Sequence, residues 1–147
     1  MAFSIFALTG CDLSPRGEHG PRITSYGHLY EVGLAIQNYK ERNGELPQHL
    51  SNLVPTYIPT NHIAIFYVIN ESAKQQVLPP DWEGNPKEID RFSSYVYLGT
   101  NGMAGVIAYE KTNLWKSTAT YPDKVAVLFS DFHVQYVPIT ELKNHFH

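Results

Sequence analysis

Apolar residues between Ser25 and Asn43 recur at spacings of three and four: Leu29, Val32, Ile36 and Tyr39. That spacing lines one face of a helix. Thr24 or Ser25 can cap its start, and Asn43-Gly44 supplies a left-handed stop. Gly33 costs up to about 1 kcal/mol against Ala inside a helix, and marks either close approach of a strand or nothing at all. A shorter apolar pattern, Leu50, Leu53, Val54, Tyr57 and Ile58, follows within Pro47 to Ile58. Pro47 suits a first helical turn, while Pro55 and Pro59 stop a long helix, so one or two turns are expected.

Strand chemistry then takes over. Ile63 to Asn70 is β-branched and aromatic and reads as a strand, followed by a polar loop from Glu71 to Arg91. Ser94 to Leu98, Val106 to Lys111, Val125 to Ser130 and His133 to Val137 read as short strands. Gly99 to Gly105 and Asn113 to Asp123 are the turns between them. Thr140 to Phe146 reads as a terminal helical turn that brings Leu142 and Phe146 onto the sheet. The expected architecture is α+β: one long N-terminal helix packed across an antiparallel meander of four to five strands. Residues 22–147 form one domain in this reading, preceded at 1–21 by an apolar start and a tether.

Composition narrows the function. A chain of 147 residues can bury a core without disulfides or metal. A net charge of −3, with Lys and Arg scattered, offers no basic field for a nucleic-acid backbone. Ten Tyr against seven Phe favour half-exposed sheet surfaces. With a single cysteine, Cys11, no intramolecular disulfide can form.

Residues 1–11 form an apolar run ending in small residues, as the second half of a secretory signal does. Leu8-Thr9-Gly10-Cys11 resembles the lipobox of bacterial lipoproteins, which implies a lipidated Cys11 at a new amino terminus. No positive charge precedes the run, unlike a complete signal, and the competing reading is an apolar tail or strand with a buried thiol. Asp12 to Pro21, rich in Gly, Pro and charge, reads as a flexible tether.

A second resemblance spans about Ser25 to Val137. Leu34 to Pro47, with Tyr39 near the helix end followed by Asn43, Gly44 and Pro47, resembles the helix exit of type IV pilin-like proteins (pseudopilins). Leu50 to Pro55 resembles the segment that follows there. Val127 to Val137 is similar to the closing hairpin of the pilin-like group with a C-terminal His-x9-Asp-Gly motif, and Ser94 to Leu98 sits where that group places a central strand. The resemblance implies a non-enzymatic cell-envelope protein without a cofactor, facing the periplasm or secreted. Its partners would be other envelope proteins and, through a lipid on Cys11, a membrane. Three departures qualify it. The family's long apolar N-terminal helix, which drives filament assembly, is not seen in this sequence. Phe132 stands where the group has Gly, so a different turn or a bulge is expected. Tyr121 stands where the motif's His would fall.

The alternatives are a small periplasmic or secreted enzyme or metal-binding module using Asp131 and His133, and a pseudopilin subunit whose start is truncated. Asp131-x-His133 and His145-x-His147 are the pairings available to a metal, fewer than the three or four ligands such a site takes. The bland reading is a turn Asp bonding its own backbone beside a half-exposed His. Trp82 to Asp90 carries oxygen ligands for calcium without the spacing of a calcium loop. No Gly-x-Ser-x-Gly is present, and no catalytic residue is assigned.

Overall fold

A computed structural model describes residues 19–67, 82–85, 87–101, 105–112 and 123–144. Helix α1 (His19–Asn43) is followed by 3₁₀ turns at Leu50–Leu53, Thr60–Phe66 and Trp82–Gly84 and by helix α2 (Lys87–Phe92). Strands β1 (Tyr95–Tyr97), β2 (Val106–Glu110), β3 (Lys124–Phe129) and β4 (Val134–Pro138) then lead into helix α3 (Ile139–Asn144). The four strands form an antiparallel sheet in the order β1-β2-β3-β4. The architecture is α+β, with the long helix laid across one face of a meander.

The apolar stripe of α1 explains its seat. Leu29, Val32 and Ile36 are buried, Tyr39 is half-buried, and all pack in one cluster with Ala108, Ala126, Leu128 and Val134 of the sheet. A Cβ built on Gly33 would lie 2.8 Å from Leu128 Cδ1, so the missing side chain is where β3 comes closest to the helix. Tyr26 fastens the helix to β4, donating its hydroxyl to the Val134 carbonyl at 2.6 Å and tilting its ring against Tyr136. On the other face, Val106, Val125, Val127 and Val137 pack with Leu142 of α3. Strand β2 serves both faces because its pairing with β3 shifts register between Val106 and Ala108. Val106 joins the α3 cluster and Ala108 the α1 cluster.

The helix exit is built from the residues singled out in sequence. Gly44, at φ +80°, returns its N–H to the Lys40 carbonyl at 2.8 Å. The Asn43 amide donates to the Tyr39 carbonyl and to the Tyr57 hydroxyl. The Pro47 carbonyl accepts the Tyr97 hydroxyl at 2.5 Å, which ties the exit to β1.

Several expectations are corrected. Helix α1 begins at His19, so Thr24 and Ser25 are interior rather than caps, and residues 19–21 of the expected tether are helical. Pro47 opens no helix; the 3₁₀ turn starts at Leu50. The expected strand at Ile63 to Asn70 is a 3₁₀ turn as far as Phe66, and 68–70 lie outside the described residues. Ile65 and Phe66 are consecutive and both buried in the α1 cluster, as neighbours on a helical turn can be, whereas a regular strand sends successive side chains to opposite faces. The expected loop Glu71 to Arg91 contains α2 in its described part, with Ile89 fully buried. The strand expected to be central is β1, at the sheet edge. Phe146 lies outside the described residues, whereas Leu142 packs as expected.

The β3–β4 connection is not a two-residue turn. Phe132 N–H returns to the Phe129 carbonyl at 2.9 Å, and Phe132 itself stands at φ +66° before β4 starts. A bulky residue in that left-handed region costs about 1–2 kcal/mol relative to Gly. Comparing Phe132→Gly with Phe132→Ala isolates that cost, since both remove the ring. The Gly variant is expected to be about 1 kcal/mol more stable than the Ala variant in urea unfolding.

The polar centre of the core is Glu110, fully buried at the end of β2. Its carboxylate accepts a short hydrogen bond from the Ser25 hydroxyl and one of 2.6 Å from the Ala126 amide. Tyr95 closes the group by donating its hydroxyl to the Ser25 carbonyl at 2.9 Å. Burial raises the Tyr95 hydroxyl well above the ordinary phenol range, and the nearby Glu110 charge adds to that. Glu110→Ala leaves the Ser25 hydroxyl and the Ala126 amide without their acceptor in a buried core. A loss of about 2–4 kcal/mol in unfolding free energy is expected, read by urea denaturation with an unchanged m-value.

Candidate functional site

A cleft of about 280 Å³ lies along edge strand β1, lined by Gln48, His49, Leu50, Asp90, Tyr95, Val96, Tyr97 and Lys111. Its walls come from three stretches of chain. The helix exit supplies Gln48 to Leu50, α2 supplies Asp90, and the β1–β2 pair supplies the tyrosines and Lys111.

Asp90 holds two of these walls together. Its Oδ1 accepts the Leu50 N–H at 2.6 Å and, at 3.4 Å, the Ser51 N–H, and its Oδ2 accepts the Ser51 hydroxyl at 2.9 Å. A carboxylate receiving the first amides of a 3₁₀ turn satisfies donors that have no partner within the turn. His49 Nδ1 stands 3.7 Å from Oδ2 on the exposed side.

Lys111 follows directly on β2 and its amide donates to the Ser94 carbonyl at 2.9 Å. Its side chain is half-buried and donates from Nζ to the Arg91 carbonyl at 3.4 Å. Desolvation lowers its ammonium below the ordinary lysine range. Among the described residues no carboxylate stands within ion-pair distance of Nζ. Burial also raises the Tyr97 hydroxyl, the first consequence of its seat between the helix exit and the sheet. The cleft therefore presents donors and, among the described residues, a cation without an ion-pair partner beside the edge strand, an arrangement suited to binding.

The sequence-derived candidates Asp131 and His133 lie elsewhere, at the exposed tip of the β3–β4 hairpin. They pair with each other through a short bond from His133 Nδ1 to Asp131 Oδ1, which also accepts the His133 amide at 3.3 Å. The His133 ring stacks on Phe129 at 4.5 Å, and Lys40 approaches the Phe132 ring at 5.8 Å. No group of three His, Cys, Asp or Glu that could hold a metal is found among the described residues. Asp131 thus behaves as a turn residue bonding its own loop. The Trp82 to Asp90 stretch, considered for calcium, directs Asp90 to the 3₁₀ turn instead. Cys11, His145 and His147 lie outside the described residues. So the structure does not bring the sequence-derived site residues together, whereas Asn43, Gly44 and Pro47 stand together at the helix exit.

Compared with models of protein families, with curated proteins and with solved structures, the chain matches none. The site therefore rests on its own geometry.

Sequence reasoning passed over Glu110, Lys111 and the capping role of Asp90. For Glu110 a signal existed: in Val106 to Glu110 it is a charge closing an otherwise apolar strand, a position that demands a partner. Lys111 carried no such signal, because the solvation of a lysine at a strand end depends on what packs over it.

At the hairpin tip the hydrogen bonds from His133 hold the Asp131 carboxyl below the usual carboxylate range. A carboxylate with a lowered folded value contributes stability above its unfolded value, and the contribution fades as pH falls through the folded value. His133→Ala is expected to raise Asp131 part of the way toward the ordinary range, the backbone bond from residue 133 remaining, as measured by carbon-detected NMR titration of the side-chain carboxyl. A titration curve identical to wild type would show that the bond is not formed in solution.

Proposed function

We propose that the chain is a non-enzymatic, pilin-like protein-interaction module of the bacterial cell envelope, tethered to a membrane through lipid on Cys11. One observation carries the reading: α1 crosses one face of an antiparallel meander and leaves through the Asn43-Gly44-Pro47 exit, which is docked on the sheet. A helix exit of this composition and a closing β3–β4 hairpin are the two elements on which the resemblance to pseudopilins rests. The edge position of β1 and the four-residue β3–β4 connection, with Phe132 at positive φ, are departures from it. The tether draws its support from Leu8-Thr9-Gly10-Cys11 and the Gly- and Pro-containing stretch after it.

The core chemistry is consistent with a scaffold. Glu110, Ser25 and Tyr95 are engaged with one another in the buried interior, where their bonds hold helix to sheet. No helix among the described residues is long and apolar enough to cross a membrane.

Expression from the native upstream region, followed by fractionation and intact-mass analysis, tests the tether. A membrane-bound chain beginning at Cys11 with added acyl mass is expected, together with a shift of Cys11→Ala to the soluble fraction. An unprocessed soluble chain starting at Met1 would remove the tether from the proposal.

A further inference from the structure

Strand β1 pairs with β2 through Ser94, Val96 and Leu98: the Lys111 amide donates to the Ser94 carbonyl, Val96 sits opposite Tyr109, and the Leu98 amide donates to the Ile107 carbonyl. Backbone groups alternate sides along a strand, so the amides and carbonyls of Tyr95 and Tyr97 are directed to the outer edge. The Tyr95 amide is taken by Ser93 Oγ at 3.0 Å. Tyr95 is buried, so the amide and carbonyl of half-buried Tyr97 are the outward groups along the side where the cleft runs. Among the described residues no strand pairs beyond β1, and an edge of this kind is a template for another extended chain.

The charge at the cleft selects among extended chains. Asp90 is committed to Leu50 and Ser51, which spreads its negative charge over three donors. Among the described residues Lys111 Nζ has a single carbonyl acceptor, and that at long range. An entering carboxylate meets a partly desolvated ammonium, where a charge-assisted bond is stronger than at an open surface. The volume, about 280 Å³, is at the small end for ligand pockets and fits a short stretch of chain rather than a large ligand.

We propose that this cleft binds an extended, carboxylate-bearing peptide segment of a partner protein, its main chain pairing with the outer edge of β1 and its carboxylate meeting the Lys111 ammonium. The proposal rests on the interaction-module reading and is independent of the tether.

The test is a selection of random seven-residue displayed peptides on the purified chain, counter-selected against Lys111→Met. Winners with an acidic residue in a β-branched or aromatic stretch are expected. Synthetic winners should bind Lys111→Met about tenfold or more weakly, keep binding to Lys111→Arg, and lose binding when alternate backbone amides are N-methylated. Thermal unfolding of both variants checks that the fold is kept. The proposal is overturned if no peptide is enriched over the counter-selection, if winners bind Lys111→Met as well as wild type, or if N-methylation leaves binding unchanged. A soluble chain in the fractionation experiment would remove the lipid anchor and leave this binding untouched, so the two failures are distinguishable.

Discussion

A buried carboxylate needs donors, and the need of Glu110 for them organises this fold. A polar group taken out of water carries a penalty unless hydrogen bonds replace its hydration. Here the donors are the Ser25 hydroxyl of α1 and the Ala126 amide of β3, while the Tyr95 hydroxyl of β1 bonds the Ser25 carbonyl beside them. Ser25 is 85 residues from Glu110 and 70 from Tyr95 in the chain, so these bonds exist only when helix and sheet are in their final relation. Apolar packing seats α1 on a surface of Ala, Leu and Val, and the directional bonds to Glu110 fix the same arrangement.

The cleft follows from that choice. With Tyr95 held under α1, β1 is oriented so that Tyr97 reaches the Pro47 carbonyl and fixes the helix exit against the sheet edge. The exit places Leu50 and Ser51 where Asp90 can take their amides, which draws α2 onto the same side. Lys111, immediately after Glu110, is thereby left at the border of the group, half covered by α2 and bonded to the Arg91 carbonyl. The buried Glu110 and the cleft cation are neighbours in sequence with opposite fates, one enclosed with its donors and one turned toward the opening.

Legibility in the sequence divides along the range of the forces involved. Helix α1, its Gly44 stop, the four strands and the terminal turn were readable because periodicity, turn residues and β-branched runs act locally. Ile63 to Phe66 was misread because its β-forming composition is outweighed by contacts with α1 and by the bonds of the Phe66 carbonyl to Ser93 and Ser94. The N-terminal boundary of α1 was placed late because Gly20 and Pro21 look like linker residues, although Pro is tolerated in a first turn. The cleft was not legible at all. It depends on three segments meeting, and none of Gln48, Asp90 or Lys111 shows in its own neighbourhood that it will face the other two.

The close approach at Gly33 has a mechanical meaning. Leu128 of β3 occupies the notch left by the missing side chain. One turn of helix to either side, about 5.4 Å along the axis, the same face carries Leu29 and Gln37, whose side chains would fill that space. The notch therefore works as a keyway: α1 cannot slide along the sheet by a turn without first lifting off it. Any push or pull transmitted along the helix reaches β3 as a rigid displacement rather than as slip.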